Sequence, residues 1–162
     1  MDFQHSSSED LWRTLQQIAE WIRFADAKAG AVIAVDGVMI AFHAGRLDNE
    51  ANSGLAPTLA LCAAMVVAAL SALFAVMTVS PRARRFGASS ALHYDIIAAH
   101  PSASAFHEAA TAMYADRDRI DEALTTHVWT LARIAQRKYT HAAWAIRIAI
   151  GAFFLGLLAL LT

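Results

Sequence analysis

Trp21-Ile-Arg-Phe-Ala-Asp-Ala-Lys-Ala-Gly30 runs straight into the apolar stretch Ala29 to Gly45, with no Pro or turn cluster between them. An amphipathic segment carrying two cations and an acid thus continues into a hydrophobic one as a single predicted helix. That is the pattern of a helix that leaves an aqueous compartment and enters a bilayer. Upstream, Leu11, Leu15, Ile18, Ile22 and Ala25 keep helical spacing. Ser6 and Glu9 have the spacing of a capping box, so the helix is expected over about residues 8 to 45.

The other apolar blocks follow the same logic. Leu55 to Val79 holds no formal charge and is long enough to cross a membrane with some tilt. It follows the polar turn Gly45-Arg-Leu-Asp-Asn-Glu-Ala-Asn-Ser-Gly54, which makes residues 29–45 and 55–79 a predicted transmembrane hairpin. Ser80-Pro81-Arg82-Ala83-Arg84-Arg85 stops the second span. Residues 88–99 suit a short helix ended by His100-Pro101. Neither Gly nor Pro occurs between Pro101 and Gly151, so one helix is expected from about residue 103 into the third apolar block, 142–162. Its polar part would be about 36 residues, or roughly 54 Å.

Composition agrees with this division. Of 162 residues, 57% are hydrophobic and 17% charged, whereas soluble domains hold about 45–50% and about 25%. The expected fold is an all-α membrane protein: residues 1–28 an amphipathic helix, three spans, and residues 80–141 a polar helical region that forms a small bundle with the first helix. Net charge is −1, which argues against general nucleic-acid binding. The single Cys62 permits no intrachain disulfide and no cysteine metal cluster. His93, His100 and His107 recur every seven residues, but Pro101 separates them, so no metal site is expected. No nucleophile–base pattern or phosphate loop is present, and an enzyme is not expected.

Cations set the orientation. The 46–54 turn carries only Arg46, while the N-terminal segment carries Arg13, Arg23 and Lys28, and the 80–141 segment carries eight Arg and Lys residues. The positive-inside rule puts the latter two segments in the cytoplasm, leaves the C-terminus outside, and makes a cleaved leader improbable behind so polar a start.

Two constellations stand out. Asp36 and Arg147 lie within spans at similar depth, where ionisable groups are costly, and pairing within or between chains would lower the cost of each. Asp26 and Lys28 on the first helix, with Arg133, Arg137, Lys138 and Tyr139 on the last, mark both places where a polar helix meets the membrane. Cations beside an aromatic can hold a phosphate and stack a base; the plainer alternative is anchoring to headgroups with a salt bridge from Asp26. Small residues at Gly30, Ala34, Gly37, Ala41 and Gly45, and at Ala60, Ala64, Ala68 and Ala72, suit close helix packing within or between protomers. The acids Asp116, Asp118, Asp121 and Glu122 alternate with Arg117 and Arg119 and read as a solvated helix face.

At three places the chain resembles the small transmembrane effectors of the Pycsar antiphage systems. Ile22-Arg-Phe-Ala-Asp-Ala-Lys-Ala-Gly-Ala-Val-Ile33 is similar to the family's A-D-x-K-A core followed by apolar residues. Val79-Ser80-Pro81-Arg82 resembles its stop after span two, and Leu131-Ala-Arg-Ile-Ala-Gln-Arg-Lys-Tyr139 its amphipathic helix ending in Lys-Tyr before the last span. The resemblance implies an inner-membrane defence effector, and because three thin spans cannot enclose a pore alone, its activity is expected to need a homo-oligomer. It would respond to a cyclic pyrimidine mononucleotide made by a paired nucleotide cyclase and would damage the bilayer in an abortive infection. Related effectors serve cyclic oligonucleotide systems. The resemblance transfers no ligand site, and Asp36 lies outside its motifs. From the residues alone, a membrane anchor that binds a cytoplasmic partner and a small ion or proton conductor remain alternatives.

Overall fold

A computed structural model of the chain describes residues 3–49, 54–80 and 94–161. All regular structure among them is helical: α1 (Phe3–Asn49), α2 (Leu55–Val79), α3 (Tyr94–Ala98), α4 (Ala103–Tyr114) and α5 (Arg117–Leu161). Within α1, α2 and α5 lie three segments long and apolar enough to cross a membrane. The Arg cluster after Pro81, the start of the expected 88–99 helix, His93 and residues 50–53 of the polar turn lie outside the described residues.

Three expectations change. α1 begins at Phe3, so Ser6 lies inside the helix and does not cap it. Ser8 instead donates to Asp121 Oδ1 across 2.7 Å. The helix expected from residue 103 onward is two helices. Asp116 ends α4 and starts α5, its Oδ1 accepting from the backbone N–H of Asp118 (3.2 Å) and Arg119 (3.4 Å), while its carbonyl accepts from Ile120. That is an N-cap, in which a short polar side chain competes with the helix ladder and wins. Ser102 caps α4 in the same way, accepting from Ala105 N–H at 3.1 Å. Of the four acids read as one solvated face, Asp116 is therefore a cap and Asp121 a half-buried acceptor.

The chain divides into two compact units. The first comprises residues 1–22 and 82–135. Its buried side chains among the described residues are Ile18, Met113, Ala123, Leu124 and Ala135, an apolar core.

The second comprises residues 23–81 and 136–162. It is built the other way round. Apart from Leu61, its buried residues among those described are small or polar: Ala25, Ala29, Asp36 and His43 on α1; Ala64, Ala68, Ser71, Ala75 and Thr78 on α2; Ala142, Ala145, Ala152 and Ala159 on α5. Large apolar residues such as Val38, Phe42, Val66, Leu70, Phe153, Phe154 and Leu158 are exposed. Buried positions on α2 advance in alternating steps of three and four, the seam of helices crossing at a shallow angle. Alanine at those positions lets backbones approach closely, which is how helices associate when the solvent is as apolar as leucine. Ala29, Ala75 and Ala145 form the cluster where all three helices meet. Further along, the His43 imidazole occupies the notch left by Gly156, where an added Cβ would strike its Nε2 and Cε1. The Ala64 and Ala68 part of the second small-residue stripe is packed inside, whereas Gly30, Ala34, Gly37, Ala41 and Gly45 all face outward.

Candidate functional site

The candidate site lies in the second unit, where the apolar halves of α1 and α5 begin. Asp26 follows the buried Ala25, and Lys138 falls between the buried Ala135 and Ala142, three residues after one and four before the other. Each side chain therefore points along the face its helix packs with. Lys138 Nζ donates to Asp26 Oδ1 at 2.5 Å, and the two side chains keep 18% and 35% of their surface exposed. The pair is shielded enough to be specific and open enough for a competing anion to reach it. Lys28 stands two residues after Asp26, about half a turn on. Its ammonium lies 5.4 Å from the Phe24 ring centroid and 5.7 Å from that of Tyr139, a cation held between two aromatic faces. Two ammonium groups, one carboxylate and a phenol thus occupy one edge of the bundle. Arg137 is half-buried, and its carbonyl meets His141 Nδ1 at 2.7 Å.

Arg133 belongs to the first unit, where its guanidinium lies 5.4 Å from the Trp129 ring. Of the six residues singled out at the membrane edge, four therefore meet in two pairs, Asp26 with Lys138 and Lys28 with Tyr139.

The intramembrane pair is not made within one chain. Asp36 is fully buried, and neither of its carboxylate oxygens has a hydrogen-bond partner among the described residues. Ser71 is the polar side chain facing it, yet that hydroxyl donates to the Ala145 carbonyl at 2.9 Å. Arg147 is exposed, its guanidinium 5.5 Å from the Trp144 ring. The cause is helical phase: Arg147 stands two residues past the buried Ala145, about 200° around α5, and so points outward.

Sequence reasoning overlooked the aromatic partners Phe24, Trp129 and Trp144, as well as Ser71 and the His43–Gly156 contact. The first three had a readable signal. Each precedes its cation by three or four residues, which makes them neighbours on one helix face. Ser71 and Gly156 are set by contacts between helices, and nothing local marks them.

The whole arrangement, from the amphipathic start of α1 to the last span, coincides with a known domain. The model of the Pycsar effector protein domain matches residues 10–162. The Pycsar effector protein PtPycTM of Propioniciclava tarda is 29% identical over 150 residues, covering 88% of this chain and 71% of the relative. No solved structure matches. With an all-α fold, an inside-out bundle and a family domain spanning nearly its whole length, the chain belongs to the Pycsar effector proteins, membrane effectors of antiphage defence.

Proposed function

We propose that this protein sits in the bacterial inner membrane, senses a cyclic pyrimidine mononucleotide made by a paired cyclase, and impairs the bilayer so that an infected cell stops growing. The observation that carries the reading is the cluster of Lys138, Asp26, Lys28 and Tyr139 at the head of two helices that continue into the apolar bundle. An anionic phosphodiester competes with Asp26 for Lys138, and a base stacks on the ring of Tyr139. Arg133, Arg137 and Lys28 add positive potential on the same two helices. Cation counting places this cluster, the N-terminus and residues 80–141 in the cytoplasm, and the C-terminus outside.

A nucleotide that binds one arrangement of these helix heads better than another shifts the population toward it by its differential affinity. Because α1 and α5 are continuous, their apolar halves take part in the change. Asp36 is the intramembrane group that the change exposes or re-pairs. Three thin spans cannot enclose a pore, so the active form is a homo-oligomer.

The test is dye release from proteoliposomes against cyclic pyrimidine and cyclic purine mononucleotides. Wild-type protein should leak with a pyrimidine ligand. Lys28→Ala and Arg137→Ala should insert normally and lose the leak. Unchanged leak in both variants would remove the site from this place. A second reading, an ion or proton conductor that needs no nucleotide, draws on the two unpartnered oxygens of Asp36. It requires leak without ligand that Asp36→Asn abolishes.

A further inference from the structure

Arg147 is not used by the nucleotide reading, and its surroundings point to a ligand of its own. It lies in α5 nine residues beyond Lys138, about 13 Å along the helix axis. Its neighbours on the outer surface are apolar: Trp144, Ile146 and Ile150 are all exposed. The guanidinium leans back over Trp144, three residues earlier, toward the end of the span marked by Lys138. Stacking satisfies the face of a guanidinium and leaves its N–H edges, with their five donors, still to be bonded. No acidic side chain reaches those edges among the described residues.

A second copy of the chain does not supply one. Between Lys28 and Leu47, the only acid on α1 is Asp36, which is fully buried, and Asp26 before it is bonded to Lys138. Neither α2 nor the apolar half of α5 contains an acid. The anion at this level has to come from the bilayer. A phosphodiester offers two oxygens that match the planar fork, and the indole beside it suits the boundary between headgroup and acyl chains.

We propose that Trp144 and Arg147 form a site on the outer face of α5 for the phosphate of an anionic phospholipid. The guanidinium reaches back along the helix to the headgroup layer, Trp144 holds it in that direction, and Ile146 and Ile150 lie along the acyl chain. The site is separate from the Asp26–Lys138 pair, and its existence does not depend on which nucleotide, if any, the protein senses.

Native mass spectrometry of the full chain, released from detergent after titration with phosphatidylglycerol or phosphatidylcholine, tests the proposal. Wild type should retain the anionic lipid in preference. Arg147→Gln should lose that preference by about tenfold or more, the worth of a charge-assisted hydrogen bond. Arg147→Lys, which keeps the charge without the fork, should fall between. A chain whose remaining indole is Trp144 (Trp12, Trp21 and Trp129 replaced by Phe) keeps Arg147 and so serves if Arg147→Gln fails to insert. Its fluorescence should be quenched more by brominated phosphatidylglycerol than by brominated phosphatidylcholine. Equal retention of both lipids by wild type, or equal quenching by both, would overturn the site. So would an Arg147→Gln variant that binds phosphatidylglycerol like wild type, or one that changes only the oligomeric mass.

Discussion

Asp36 is the most expensive side chain in the second unit: fully enclosed, with neither oxygen hydrogen-bonded among the described residues. Leaving a buried polar group without a hydrogen bond costs about 1–3 kcal/mol, which an apolar residue of similar volume avoids. Asp36→Val should therefore hold or raise the thermal midpoint of the detergent-solubilised protein. If the residue is kept for the response, the same variant should lose ligand-dependent leak. A stable variant that leaks like wild type would show that Asp36 has no part in the mechanism. The pairing in which sequence placed it was reasonable on depth alone, since Asp36 and Arg147 lie at similar distances past Lys28 and Lys138. Depth is readable from residue counts. Azimuth is not, until the buried face of each helix is known, and Ala145 fixes that face for α5 only once the bundle is seen.

Among the elements, the boundary between α4 and α5 shows how one side chain sets a helix end. Nothing in the residues around 115 breaks a helix by itself; Ala115 keeps right-handed helical backbone angles and its N–H still bonds to Thr111. The stop comes from Asp116, whose carboxylate takes over two N–H groups of the next first turn. Asp116→Ala should cost that turn about 0.5–2 kcal/mol. Hydrogen exchange should read it as faster exchange at residues 117–120 with the centre of α5 unchanged; wild-type protection there would mean that the cap is not what orders the turn. The acid was visible in the sequence, yet in a run of alternating charges a cap and a solvated face look alike. The long elements were far more legible. A 25-residue block without a formal charge leaves few alternatives, and α2 occupies the same residues, Leu55–Val79, that its lack of charge had marked out. At the candidate site the sequence marked out Asp26, Lys28, Lys138 and Tyr139 because all of them flank apolar runs. Which of them bond followed only from the seam positions of Ala25, Ala135 and Ala142.

At the scale of the whole molecule, the second unit carries its large apolar side chains outside and its alanines inside. Such a surface is solvated by lipid. The outward strip of Gly30, Ala34, Gly37, Ala41 and Gly45 on α1 is a smooth track at which a second helix can approach closely. An added Cβ at Gly37 meets nothing within 4 Å in the single chain, so a bulky residue there leaves the protomer's own packing intact. If the active form is an oligomer that uses this track, Gly37→Leu should insert and fold like wild type and lose most of its ligand-dependent leak. Wild-type leak per chain should also rise with the protein-to-lipid ratio, whereas a monomeric lesion would give a constant leak per chain. A constant value, together with full activity of Gly37→Leu, would sink the oligomer. The two measurements separate assembly from sensing, because a failure of nucleotide binding at Lys28 or Lys138 lowers leak at every ratio alike, whereas a failure of assembly is partly recovered as chains are crowded together.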